Sequence, residues 1–188
     1  MPAWVVIALT IIATVFVVTF LLSFSIVVVH PITKGAMFHP SARIRVRTFL
    51  DNVPMKEGEL LIDPGCGDGR VLREASKRYK VRALGFEINP LAYLLARLGT
   101  LGKRDVRVRF KNFWKVNFSD ADLVFCYLFP DVMKRLEQKL EGELQPGCRI
   151  VSCNFPFPGW KYERIVRPDS SLYGDPIYLY RFPECLDS

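Results

Sequence analysis

Two acids and three glycines are spaced as if for one ligand. Leu60-Leu61-Ile62 reads as a short buried strand, and Asp63 ends it. Gly65, Gly67 and Gly69 follow at alternate positions, and a helical pattern begins at once. Glycines let a backbone turn sharply and let a ligand lie directly on it. The start of the next helix offers unpaired N–H groups and a partial positive charge, which suit an anionic group. A second strand, Val81 to Glu87, ends in another acid. Its carboxylate can accept both hydroxyls of a ribose, as the acid about 20 residues further on does in dinucleotide folds.

The loop spacing is G-x-G-x-G, not the G-x-G-x-x-G of dinucleotide binders. A ligand carrying an ammonium, a carboxylate and a ribose satisfies Asp63, the helix start and Glu87 together. S-adenosylmethionine is that ligand. The plainer alternative is a glycine turn between two ordinary strand-end acids.

The elements that position these groups follow from hydrophobic spacing. Val71, Leu72, Ala75 and Tyr79 give the helix after the loop its apolar face, with Glu74 and Arg78 as an i,i+4 pair. Asn89 caps a helix running to about Leu98, with Pro90 in its first turn. Val106 to Lys111 alternates, with Val106, Val108 and Phe110 on one face, and reads as a third strand. Asn112 and Phe113 stand at its C-terminal end, where open α/β sheets bind ligands. An amide and a ring there suit an adenine, one for its edge and one for its face. A polar turn with packed aromatics is the alternative.

Asp122 to Tyr127 is a fourth strand, leading into Leu128-Phe129-Pro130, and the topological switch point beside the first strand falls there. A helix over Asp131 to Leu140 turns Val132, Leu136 and Leu140 inward. Arg149 to Cys153 is a fifth strand. Asn154-Phe155-Pro156-Phe157-Pro158-Gly159-Trp160 is too rich in proline for a helix and reads as a stiff wall beside the site, or as a packed surface loop. Tyr162 to Val166 and Ile177 to Phe182 close the chain as an antiparallel pair. The fold class is α/β, a Rossmann-like sheet with a C-terminal antiparallel strand pair, preceded by one transmembrane helix.

The first thirty residues differ from the rest. Trp4 to Val29 contains no charge, and about 20 such residues span a bilayer. A cleaved signal peptide wants a basic start and a small-residue cleavage site, and neither is evident. A buried soluble helix is rarely so uniformly apolar. A retained anchor fits best. Lys34, Arg43, Arg45 and Arg47 follow the segment and no Lys or Arg precedes it, so the positive-inside rule puts the rest of the chain on the cytoplasmic side, with an organelle membrane open in a eukaryote. The expected division is an anchor over 1–31, a linker and helix over 32–58, and the catalytic domain over 59–188. Ala42 to Leu50 is the linker's helix, with Ser41 as its N-cap.

The net charge is +7, all of it after the apolar segment, which suits a solvated basic surface near anionic lipid better than a nucleic-acid partner. Five cysteines with no CxxC pair and two peripheral histidines suggest neither a metal centre nor a disulfide framework.

Asp63-Pro64-Gly65-Cys66-Gly67-Asp68-Gly69-Arg70 resembles the D-x-G-x-G-D-G-R loop of a group of small class I lysine methyltransferases. The group includes an archaeal broad-specificity protein-lysine methyltransferase. It also includes membrane-associated mitochondrial enzymes acting on the adenine nucleotide translocase and on the ATP synthase c subunit. Gly85 to Pro90, Asn112 to Lys115 and Phe155 to Trp160 match as well, and Pro40-Ser41 resembles a short Pro-Ser/Thr element before the loop. Pro64 and Cys66 depart from the expected Leu and Ser, and Asn112 replaces an Asp of the mitochondrial members. Tyr127-Leu128-Phe129-Pro130 lacks the Asn-Pro-Pro-Tyr of adenine and glutamine methyltransferases.

The resemblance implies S-adenosylmethionine as cofactor, held by Pro40, Ser41, Asp63, Gly65, Gly67, Gly69, Glu87, Asn112 and Phe113. It implies a protein lysine as acceptor, possibly on a membrane protein. Tyr127, Phe129, Phe155, Phe157 and Trp160 are the candidate walls of its channel, and no metal is expected. Two alternatives are a methyltransferase for a lipid or isoprenoid quinone and a non-catalytic membrane-anchored scaffold.

Overall fold

The computed structural model describes residues 2–33, 42–169, 172 and 174–186, with backbone alone for 25–33. Its helices are α1 (Ala3–Thr33), α2 (Arg43–Asn52), α3 (Arg70–Tyr79), α4 (Pro90–Gly99) and α5 (Pro130–Glu143). Its strands are β1 (Leu60–Pro64), β2 (Arg82–Glu87), β3 (Val106–Phe110), β4 (Leu123–Cys126), β5 (Arg149–Cys153), β6 (Arg164–Val166) and β7 (Ile177–Arg181). The strands form one sheet in the order β3-β2-β1-β4-β5-β7-β6. The first five are parallel, and β7 runs antiparallel between β5 and β6.

Successive strand residues point to opposite faces, and here both faces are covered. Leu61, Leu123, Phe125 and Val151 pack with Val46, Phe49 and Leu50 of α2, Val71, Leu72 and Ala75 of α3, and Ala96 of α4. Their neighbours Ile62, Val124, Cys126 and Ile150 pack with Met133, Leu136 and Leu140 of α5. The molecule is therefore three layers, with α2, α3 and α4 on one side and α5 on the other. α2 thus supplies residues to the core of this layer.

Glycine at position 85 makes the first layer possible. A Cβ there would lie 2.5 Å from Cys66 Sγ and 2.5 Å from Leu72 Cδ1. The absence of a side chain on β2 lets α3 and the glycine loop sit directly on the sheet.

Several local expectations change. The first strand continues through Asp63 to Pro64. Arg78 pairs with Asp51 of α2 at 2.5 Å, and not with Glu74. Phe110 is exposed, because β3 is the edge strand and nothing beyond covers it; its ring meets Tyr93 instead. Pro40 and Ser41 lie outside the described residues, and Ala42 takes the N-cap position of α2 with no side-chain cap bond.

Residues Ala3–Phe24 of α1 are long and apolar enough to cross a membrane, and none of that stretch is buried against the domain. Its threonines are self-satisfied: Thr10, Thr14 and Thr19 donate to the carbonyls of Val6, Thr10 and Val15. That removes the main cost of polar groups in hydrocarbon.

Candidate cofactor and acceptor site

The topology brings the C-terminal ends of β1, β2, β3 and β4 side by side on one edge. Asp63 is opposite Gly85, and Glu87 is opposite Phe110. The glycine loop is pinned to β2, since the amides of Gly65 and Cys66 both donate to the Phe86 carbonyl at 2.8 and 3.0 Å. Gly65, Gly67 and Gly69 all have positive φ, at 80°, 55° and 71°. A side chain is strained there. Asp68 closes the turn by accepting from the Arg70 amide, and its carbonyl accepts from Arg73.

Glu87 is held rigidly. One carboxylate oxygen accepts from the amides of Ile88 and Asn89, both at 2.8 Å, and the other from the Gly67 amide at 2.9 Å. The glycine loop and the acid of β2 are thus one bonded unit. Burial pushes the Glu87 carboxyl up, and these three donors pull it part of the way back.

Asp63 is the opposite case. It is 3% exposed, and no side-chain hydrogen bond holds its carboxylate among the described residues. Burial pushes its carboxyl well above the usual range, and the charges of Glu87 and Asp68 push further the same way. A buried carboxylate with no donor, beside two other acids, is a place for a cation. S-adenosylmethionine carries an ammonium and a sulfonium, so these residues fit it.

At the end of β3, Asn112 uses its side-chain oxygen to cap the turn Phe113–Lys115, accepting from the Trp114 amide at 3.0 Å. Its amide nitrogen is what remains for a ligand. Phe113 is buried, with its ring 4.6 Å from that of Trp114.

On the other side of β1, Tyr127, Phe129 and Phe155 are half-buried at the ends of β4 and β5. Trp160 is more deeply covered than these three. It is buried in the second core with Phe157 and Tyr180, and its indole N–H donates to Glu141 on α5 at 2.8 Å. The pattern of aromatics in the sequence did not distinguish a core tryptophan from a channel wall.

Two residues went unnoticed in the sequence as candidates for this edge. Arg45 of α2 is 2% exposed, stands 4.7 Å from the Tyr127 ring centroid and pairs with Asp175 at 2.6 Å. Asn154, just past β5, has a φ of 70°. The Nε of Arg45 and the Oδ1 of Asn154 are buried without a partner.

Comparison with known proteins identifies the family. The ANTKMT methyltransferase domain matches residues 63–164. The chain belongs to the ANTKMT methyltransferase family. The match opens on Asp63, and S-adenosylmethionine is the methyl donor of this class I methyltransferase. A protein-lysine N-methyltransferase of Saccharolobus islandicus is 34% identical over 75% of this chain and 90% of its own length. The adenine nucleotide translocase lysine N-methyltransferase of Mus musculus is 38% identical over 56% of this chain and 48% of its own length. This ANTKMT-family chain therefore spans about half of that vertebrate relative. The crystal structure of an RNA methyltransferase from Salinibacter ruber, in complex with S-adenosyl-L-homocysteine, superposes with a TM-score of 0.72 and 30% identity, covering 78% of this chain and 95% of that one.

Proposed function

We propose that this chain is a membrane-anchored methyltransferase that transfers a methyl group to a lysine side chain of a protein. The observation that carries the reading is the donor-poor, buried Asp63 beside the Gly67–Glu87 bond, in a family whose similar members are named for lysine methylation. When bound, S-adenosylmethionine supplies an electrophilic methyl on a sulfonium.

The chain's residues bind and orient. Asp63 accepts the ammonium, and Gly65, Gly67 and Gly69 let the methionine end lie on the backbone. Glu87 takes a ribose hydroxyl with the one lone-pair position that its three backbone donors leave open, on Oε2. Asn112 offers its amide nitrogen to the adenine edge, and Phe113 offers its ring. Pro40 and Ser41 complete the site on the strength of resemblance alone.

Tyr127, Phe129 and Phe155 line the acceptor's approach. A lysine near pKa 10.4 must arrive as the neutral amine, and desolvation between rings favours that form. Water carries the proton away, so alignment at close range is the main task. Trp160 supports this wall from the core.

The anchor reading rests on the exposed apolar face of α1 and on its self-satisfied threonines. It puts the catalytic domain on the side of the membrane where the basic flank lies, and the acceptor within reach of that surface. The test is a radiolabelled methyl transfer with the full chain and membrane fractions, followed by separation of protein from lipid and mass spectrometry of the labelled band. Methyl-lysine in protein supports the reading. Label confined to the lipid extract overturns it.

A further inference from the structure

The helical layers carry charge unequally. In α2, α3 and α4 together, Lys and Arg outnumber Asp and Glu eight to two, whereas α5 on the opposite face carries three against four. Arg45 is buried, and without it these helices still carry most of the net charge of +7. A groove of about 740 Å³ runs between α2 and α3, with Arg43, Arg47, Arg70, Arg73, Lys77 and Arg78 on its walls and Glu74 as its one acid. Asp51 pairs with Arg78, and Asp68 serves both Arg70 and Arg73. Arg43, Arg47 and Lys77 have no carboxylate within ion-pair distance among the described residues.

Next to this groove lies an apolar stripe. Leu91, Leu94, Leu95 and Leu98 stand at i, i+3, i+4 and i+7 on α4, with exposures between 42% and 57%. The same helix buries only Ala92 and Ala96. Its inward side is thus small and its outward side large and apolar, the reverse of a helix made to face water. Arg73 lies against α4 at Gly99, so the basic and apolar areas adjoin.

We infer that the α2–α3–α4 face docks on the surface of an anionic lipid bilayer, with the α4 leucines in the acyl boundary and the α2–α3 groove on lipid phosphates. An apolar stripe beside clustered cations is the pattern of an interfacial helix. The inference rests on the anchor reading in one respect. The step from Thr33 to Arg43 spans at most about 35 Å of extended chain, so a membrane-spanning α1 keeps α2 near the bilayer. A second copy of this chain is a poor occupant, because an isologous pairing sets the same cations against each other. A nucleic acid would leave the leucines unused.

Docked this way, the sheet's ligand-binding edge opens sideways along the membrane. The acceptor class that follows is a lysine held close to the lipid headgroups.

The test uses the full chain in nanodiscs containing nitroxide lipids, with shallow nitroxides read at positions 94 and 138 and deep-chain nitroxides at position 15. The cysteines at 66, 126, 148, 153 and 185 are all buried, so an environment-sensitive thiol dye labels an added surface cysteine. Three variants are labelled separately: Leu94→Cys on the proposed face, Gln138→Cys on α5, and Val15→Cys in α1. The expected result is several-fold stronger quenching at position 94 than at 138 in anionic discs. Neutral lipid, or Arg47→Glu with Lys77→Glu, weakens quenching at 94 and leaves 15 unchanged. Equal quenching at 94 and 138 with strong quenching at 15 overturns the docking face and leaves the anchor standing. Quenching at 94 but not at 15 supports the face and sinks the anchor. Disulfide-linked homodimers through position 94, with no dependence on lipid charge, overturn the proposal in favour of a second copy.

Discussion

Asp63 is where binding and stability oppose each other. Its folded pKa is raised above the unfolded value, so between the two the fold holds more protons than the unfolded chain. Stability of the ligand-free protein therefore falls as pH rises through that window, and the full cost is present above it. Asp63→Asn removes the charge and with it that fall. The expected outcome is an apo melting temperature equal to or above wild type at neutral pH, with a flatter acid-side pH profile, read from thermal melts at several pH values. A second residue-scale prediction concerns packing. Gly85→Ala places a methyl against Cys66 and Leu72 in a close-packed layer. The cost is about 1–3 kcal/mol, visible as a lower urea midpoint with an unchanged slope. The acids and glycines can be read from the sequence because the acids end β1 and β2 and the glycines fill the short loop between β1 and α3, where spacing along the chain is also spacing in space. Arg45 was not legible, since the carboxylate it meets lies 130 residues away.

As an element, α2 ties the first layer to the end of β4. Through Arg45 it reaches both the Tyr127 ring and Asp175, which precedes β7. The guanidinium is buried with one nitrogen unpaired, and Asp175 is 49% exposed, so the pair contributes little stability in itself. Arg45→Met keeps the length and packing of the side chain. It should change stability by less than about 1.5 kcal/mol while lowering methyl transfer, with a higher KM for the acceptor as Tyr127 loses its support. Steady-state kinetics beside a thermal melt separates the two effects. The strands, the Asn89 cap and the helix over 130–143 followed from local pattern, because cap chemistry and period act within a few residues. Phe110 and Trp160 did not, for a different reason. Alternation says which face a side chain takes, but not whether the sheet continues beyond it or which layer covers it.

Among the described residues, the apolar stretch and the sheet domain share no core. Both hydrophobic clusters are built from residues after 45, and no residue of Ala3–Phe24 is buried. A chain beginning at Ala42 is therefore expected to melt within a few degrees of the full chain. In a carbonate extraction the full chain stays with the membrane pellet and the shortened one moves to the supernatant; a full chain released by carbonate would contradict the anchor. Within the folded part, everything turns on one ligand lying across β1 and β2. The direct measurement is isothermal titration of S-adenosylmethionine into the full chain and into Asp63→Asn and Glu87→Gln. Each substitution removes a charge-assisted contact of about 1.5–3 kcal/mol, so affinity should fall roughly 10- to 100-fold in both while the protein remains folded. Undiminished affinity in both folded variants contradicts the account.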